Sequence, residues 1–279
     1  MKKVIVLLLA AVLLLSVIGC KKAESKKLTV AMSPDFAPME FVDTSKSGQE
    51  QYVGFDVTLA NFLAKELGME LEIKPMSFDA CMTAVQLGSV DMAISGFSWK
   101  PDRAENFLLS DYYIAGDNET QQSVITVKAK ENTCKTQADF SGWKVGAQAS
   151  SLQEQLVKDE LIPAGAELVV YKSIDDAVLA LQTGKIDALA VAHGNGEAII
   201  ANNPDLAFTG FDFDVDPKYE NNVILLNKSN TEMLEKVNQV LAKAMAAGVY
   251  DGWYEDAKAL AGIPTAADVS YDDDGKPVS

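Results

Sequence analysis

The chain has 279 residues, 48% of them apolar and 23% charged, a composition that buries a substantial core and excludes a disordered or fibrous polymer. Forty acidic against twenty-four basic side chains give a net charge of −16, the wrong sign for neutralising nucleic-acid phosphates. Three cysteines are too few for a disulfide scaffold, and a single apolar stretch near the N-terminus excludes a polytopic membrane protein, leaving one or two compact, acidic domains.

Lys2 and Lys3 precede an unbroken apolar run, Val4 to Leu15, and Ser16-Val17-Ile18-Gly19-Cys20 then supplies small residues where a signal peptidase would cut. An export signal over residues 1–19 is the reading. Val17-Ile18-Gly19-Cys20 resembles the bacterial lipoprotein lipobox, which implies acylation of the Cys20 thiol, a membrane anchor through that lipid and an extracytoplasmic body. Residues 20–27, rich in lysine, read as a solvated tether. Cys81 shares helical spacing with Phe78, Met82 and Val85 and reads as a small buried apolar residue. A bridge between Cys81 and Cys134 is the alternative.

Thr29 to Met32 reads as a strand, and Asp56 through Leu67 as a helix capped by Asp56 and closed by Gly68. Glu70 to Lys74 is a second strand, Ser77 to Leu87 a helix ending at Gly88, and Val90 to Ile94 a third strand. Strands alternating with helices predict an α/β protein with a parallel sheet. A shift of 96 residues lays Ser77–Asp91 on Ser173–Asp187 with Ser, Asp, Ala, Gln, Gly and Asp recurring. This helix-Gly-strand repeat predicts two lobes of similar design.

Trp143 to Ala147 would open the second lobe as Leu28 to Met32 opens the first. The expected division is residues 28–117 for lobe one, 118–219 for lobe two, 220–264 for a return to lobe one and 265–279 for a flexible tail. Gly116 to Val127 and Val215 to Leu226 then form a two-strand hinge, with Asp117-Asn118-Glu119-Thr120 as an insertion. Thr231 to Ala247 carries Met233, Val237, Val240, Leu241 and Ala244 on one side, an amphipathic helix completing lobe one.

Ligands of open α/β sheets sit beyond the carboxyl ends of the strands. That rule selects Ser33 to Met39, Ser77-Phe78 and Ser95 to Ser98 in lobe one, with Gln148 to Leu152 and Ala192 to Asn195 in lobe two. Pro101 is placed to begin a short helix with Arg103 just behind it, aimed back at the strand ends. A guanidinium beside Gly96 and Ser98 in an otherwise acidic protein suits a carboxylate, because arginine offers a planar pair of donors.

Phe36-Ala37-Pro38-Met39-Glu40-Phe41, Val53-Gly54-Phe55-Asp56-Val57, Gly88-Ser89-Val90-Asp91, Ser98 to Arg103 with Ser110-Asp111-Tyr112-Tyr113, and Gly248-Val249-Tyr250-Asp251 carry a resemblance. From Leu28 to about Ala261 the chain resembles the family-3 extracellular solute-binding proteins of polar amino-acid ABC transporters. The resemblance implies the type 2 periplasmic binding protein fold, a Venus flytrap. It implies that Arg103 grips a ligand α-carboxylate, that Phe36 and Phe78 wall the ligand side chain, and that the Gly96 carbonyl and Ser98 hydroxyl face the α-ammonium. Ser150 and Ser151 would add hydroxyl and N–H donors where a helix begins. An ABC permease with its ATPase is the implied partner of a monomer. No cofactor, metal or nucleic acid is expected.

One departure stands out. The family usually carries Asp at the position of Ala192, where it neutralises the ammonium, and this chain has no acid there. His193, the lone histidine, either accepts one ammonium hydrogen bond or is a satisfied loop residue. The expected ligand is an amino acid held differently, a modified amino acid or peptide, or a carboxylate without an ammonium. Asp212, Asp214 and Asp216 alternate as on a strand and read as a solvated face, as does Asp272-Asp273-Asp274-Gly275. Two other functions stay open: an exported dehydratase of the prephenate or arogenate type on the same fold, using His193 or Glu197, and a sensory binding protein.

Overall fold

A computed structural model describes residues 26–113, 121–219, 221–265, 270–271 and 277–278. The export signal, Cys20, the insertion at 117–120 and the acidic run at 272–275 lie outside them.

Two five-stranded sheets organise the chain. The first contains β1 (Lys27–Met32), β5 (Glu70–Pro75), β6 (Met92–Ala93), β7 (Leu108–Leu109) and β13 (Leu225–Leu226) in the order β5-β1-β6-β13-β7. The second contains β8 (Gln122–Val127), β9 (Lys144–Gln148), β10 (Glu167–Tyr171), β11 (Ala188–Ala192) and β12 (Leu206–Asp212) in the order β10-β9-β11-β8-β12. In each, three parallel strands are followed by an antiparallel fourth and fifth. The chain therefore crosses between lobes twice, once before β8 and once before β13. Three short strands, β2 (Asp35–Phe36), β3 (Glu40–Val42) and β4 (Tyr52–Val53), pair beside the first sheet.

The repeat read from the sequence is physical. Helix α2 (Phe78–Gln86) in the first lobe and α5 (Ile174–Gln182) in the second are offset by 96 positions. The recurring aspartates have one job: Asp91 Oδ2 accepts the Thr29 N–H at 2.7 Å, and Asp187 Oδ2 accepts the Lys144 N–H at 3.0 Å. Asp91 thereby pins β1, and Asp187 pins β9, to the strand that follows the repeated helix. The recurring glycines, Gly88 and Gly184, close those helices at φ +65° and +70°, left-handed geometry that favours glycine.

The helix predicted at Asp56–Leu67 is α1 (Phe55–Glu66), but Gly54 rather than Asp56 occupies its N-cap. At φ +120° a Cβ on Gly54 would lie 2.3 Å from the Met39 carbonyl oxygen, so only glycine lets α1 start against β3. Asp56, freed from capping, turns inward. The strand expected over Val90–Ile94 is ordered as ladder only at β6, and β12 ends at Asp212. Asp214 and Asp216 lie past the strand, but the predicted alternation continues beyond it: Asp212, Asp214 and Asp216 are exposed while Phe211 and Phe213 are buried. Cys81 and Cys134 are both buried and free, one in each lobe.

The first-lobe core packs α1 and β1 against helices α7 (Thr231–Ala246) and α8 (Tyr250–Leu260). Val237, Val240, Leu241 and Ala244 form the buried face of α7, at the predicted spacing. Phe55 is the centre of the contact, its ring within 6.3 Å of the rings of Tyr113, Tyr250, Trp253 and Tyr254. Such clusters gain from ring geometry as well as from area. Phe55→Ala should destabilise the protein by about 3 to 5 kcal/mol, seen as a lower melting temperature; an unchanged one would show that the return segment is held elsewhere.

Candidate functional site

The carboxyl ends of β6, β9 and β11 face one another across a narrow cavity with about 20 Å³ of room for water, set in about 390 Å³ of atom-free space that includes open solvent. Of the residues selected from sequence, Phe36, Phe78, Gly96, Ser98, Arg103 and Ser151 line it. Ser150 and His193 do not. From the loops selected in lobe two Gln148, Leu152 and Ala192 line it as well, and Gln122, Gln153 and Asn222 complete the lining.

Arg103 sits on α3 (Pro101–Asn106), with Pro101 at its first turn as expected. The side chain is 1% exposed. Nη1 donates to the Ser98 carbonyl at 2.5 Å, and Nη2 reaches across the cleft to the Ser150 carbonyl at 2.9 Å. Its guanidinium carbon lies 5.5 Å from the Phe78 ring centre and 5.3 Å from that of Phe97, and those two rings stack at 4.5 Å. The aromatic pair thus supports the cation from one side. Burial lowers its pKa to about 10, so it stays charged at neutral pH. Nε has no partner.

Gly96, at φ +54°, passes so close to Phe36 that a Cβ would meet the ring at 2.6 Å. Phe36 is thereby stacked over the turn and roofs the cavity. Ser98 and Trp99 are tied to the return strand through a bridge to Asn222 and a hydrogen bond to the Asn221 carbonyl. Trp99 packs in the core under the loop and stacks on Tyr219.

In lobe two, Ser151 is the N-cap of α4 (Leu152–Leu156), its Oγ accepting from Glu154 N–H at 3.0 Å. Ser150 takes a left-handed φ of +65°, and its N–H donates to the Glu154 carboxylate. That turn presents the carbonyl of Ser150, rather than its side chain, to Arg103.

His193 opens α6 (His193–Asn202) but faces away from the cavity. Its ring stacks on Phe208 at 4.6 Å and Nδ1 lies 2.9 Å from Ser123 Oγ. Ser123 gives its one proton to Asp212 at 2.5 Å, which leaves His193 Nδ1 as the donor to the serine oxygen. The imidazole is thus a link in a packed chain.

Of the lining amides, strand-end reasoning selected Gln148 and missed Gln122 and Asn222. Gln122 begins β8 and Asn222 precedes β13, strands that run antiparallel to their neighbours. Their amino ends therefore meet the cavity where the parallel strands present carboxyl ends.

Two carboxyls are buried beneath the Gly96 turn. Asp56 Oδ2 accepts from the Gly96 N–H at 2.7 Å and from the Tyr113 hydroxyl at 3.0 Å. Glu40 takes a short hydrogen bond from Ser95, which in turn accepts the Ser33 N–H at 2.9 Å. Burial pushes Asp56 up to about 7, and burial followed by the charge of Asp56 pushes Glu40 well above its ordinary value. The pair keeps a proton at neutral pH.

The lobes meet in a closed arrangement, tied at the far rim. Asp35 accepts from the Ile174 N–H at 2.8 Å, and Asn195 Nδ2 donates to the Ala37 carbonyl at 2.9 Å. Asn202 Nδ2 donates to the Ala261 carbonyl at 3.1 Å, beside an apolar contact of Ala198, Ala261 and Ile263.

With this geometry in place, the comparison with known proteins is decisive: residues 28–256 match the model of the bacterial extracellular solute-binding proteins, family 3. The chain belongs to that family. It is 29% identical over 247 residues to the arginine-binding extracellular protein ArtP of Bacillus subtilis, covering 86% of this chain and 92% of that one. A probable histidine-binding protein of Campylobacter jejuni is 27% identical, covering 90% and 96%. Among solved structures, the substrate-binding protein AbpA of Streptococcus pneumoniae bound to L-arginine superposes with a TM-score of 0.76 at 34% identity, covering 85% of this chain and 97% of that one. The fold is the two-lobed Venus flytrap expected from sequence.

A carboxyl that holds its proton more tightly folded than unfolded stabilises the fold below its unfolded pKa, and that contribution fades as pH climbs through the folded one. Between about pH 5 and pH 8 the wild type should lose stability relative to Glu40→Gln, by at most about 1.4 kcal/mol per pH unit for one proton. Melting curves of both proteins across that range check it, and parallel curves would contradict a shared buried proton.

Proposed function

We propose that this protein is the extracytoplasmic receptor of an amino-acid ABC transporter. It captures an amino acid or amino-acid-like carboxylate between its lobes and hands it to a membrane permease driven by an ATPase. The observation that carries this reading is Arg103: among the described residues no carboxylate pairs with it, and its two outer nitrogens reach only backbone carbonyls. A buried cation without a counter-ion is expensive, and a ligand carboxylate between the lobes removes that cost. Relatives whose names state arginine or histidine binding support an amino-acid-like ligand.

Closure follows from where the contacts lie. Phe36, Phe78, Gly96 and Arg103 belong to the lobe that offers the anion its seat, while Ser151 and Gln148 come from the other lobe. A ligand seated on the first set meets the second only after the lobes shut, so its binding shifts the population toward the closed form. The N-terminal pattern of Lys2, Lys3, the run Val4–Leu15 and Val17-Ile18-Gly19-Cys20 supports export and a lipid on Cys20 that holds the receptor at the membrane.

Arg103→Ala should abolish the ligand-induced rise in melting temperature across a panel of amino acids, small peptides and simple carboxylates. Each lost charge-assisted hydrogen bond is worth about 1.5 to 3 kcal/mol. Thermal shifts that persist in the variant would place the ligand somewhere other than on this guanidinium.

A further inference from the structure

The carboxylate reading above can be taken one step further, and the step rests on it. We infer that the ligand's remainder carries no positive charge. The cleft is built for a carboxylate with an uncharged α-substituent, a 2-hydroxy or 2-oxo acid or an N-acylated amino acid, and it discriminates against free amino acids, the cationic ones most strongly.

The first ground is the charge inventory of the cavity. Among the described residues lining it, Arg103 is the charged one. Ala192, at the end of β11 and 1% exposed, puts a methyl group on the lining. Lys100, 8% exposed, lies outside the lining and has Asp102 as its own partner at 3.9 Å. Among the described residues the lining therefore carries one cation and no carboxylate, inside a protein that is strongly acidic overall.

Among the described residues, the carboxylates around the cavity are engaged with other groups. Asp35 is held by the Ile174 N–H and the Ser33 hydroxyl. Asp56 and Glu40 sit below the floor, turned to Gly96, Tyr113 and Ser95. Asp212 takes the Ser123 hydroxyl, and Glu154 takes Lys158 and the Ser150 N–H. Glu197 stands 3.9 Å from the His193 ring, which itself faces away from the cavity. None of these carboxylates lines the cavity; Asp35 comes nearest, accepting from Nε2 of the lining residue Gln148 at 3.4 Å.

The second ground is the sense of the hydrogen bonds. Several acceptors around the cavity already receive a proton from the protein. Arg103 takes the Ser98 carbonyl, Gln153 takes the Gln122 amide oxygen, and Glu154 N–H takes the Ser151 hydroxyl oxygen. The Ser151 hydroxyl is left to donate. An α-ammonium brings a full positive charge beside the Arg103 guanidinium, with no lining carboxylate among the described residues to offset it, and low dielectric magnifies the repulsion. A hydroxyl, ketone or amide carbonyl accepts from the same groups and brings no charge.

The test is calorimetric titration of the purified protein, cleared of co-purified solute by unfolding and refolding. The probes are matched sets: L-alanine, L-leucine, L-phenylalanine and L-glutamine, each with its N-acetyl and 2-hydroxy counterparts, together with L-arginine. In at least one set a blocked or deaminated member should bind about ten- to a hundredfold more tightly than the free amino acid, the worth of one missing charge-assisted contact. Which of the two prevails identifies the source of the carboxylate. Ala192→Asp should reverse the order in that set; if that variant does not fold, the wild-type order alone decides. Free amino acids equal to or ahead of their counterparts in every set, tight binding of L-arginine, or no binding in any set would overturn the inference. Preference for an amino acid that Arg103→Lys weakens would sink this inference and leave the carboxylate reading standing. Binding indifferent to Arg103→Lys would sink that reading itself.

Discussion

A single guanidinium bridges the two halves of this molecule. Arg103 is carried by one lobe and donates to a backbone carbonyl of the other, so its charge is enclosed only when the lobes are together. Much of the neighbouring architecture serves that placement. The stacked pair Phe78 and Phe97 supports the ion, Pro101 starts the short helix that aims it, and the left-handed turn at Ser150 turns a carbonyl toward it. Fixed backbone dipoles hold the cation in the closed arrangement without cancelling its charge, which is the condition for an anion to be favoured beside it.

Beneath that ion lies a second constraint of opposite sign. Glu40 and Asp56 share the floor of the Gly96 turn, and the Gly96 N–H is tied to one of them. Holding a proton there keeps the floor from carrying two negative charges in a space that water does not reach. The turn that presents the Gly96 carbonyl and the Ser98 hydroxyl is thus braced from below by groups the ligand never touches.

Much of this was legible in the residues. The 96-residue repeat corresponds to a matched helix in each lobe, and its aspartates have the same strand-pinning role in both. Pro101, the spacing of Arg103 behind it and the apolar stripe of Thr231–Ala246 also lead directly to local structure. The misses share a cause: they depend on what a residue meets across the fold. Asp56 looks like a helix cap by position, yet Gly54 caps because of how near it comes to Met39. His193 follows a strand end, but its stack on Phe208 and link to Ser123 turn it from the cavity. Gln122 and Asn222 were invisible to a rule about carboxyl ends because their strands run the other way.

The ties at the far rim, from Asn195 to Ala37 and from Asn202 to Ala261, touch no part of the cavity. They favour a shut receptor whether or not it is loaded, so any affinity measured for a cargo already contains that bias. A permease that recognises the shut shape would then meet some empty carriers among the full ones. How strongly those distant amides pull sets the shut fraction of the empty receptor, a quantity governed far from where solute is recognised.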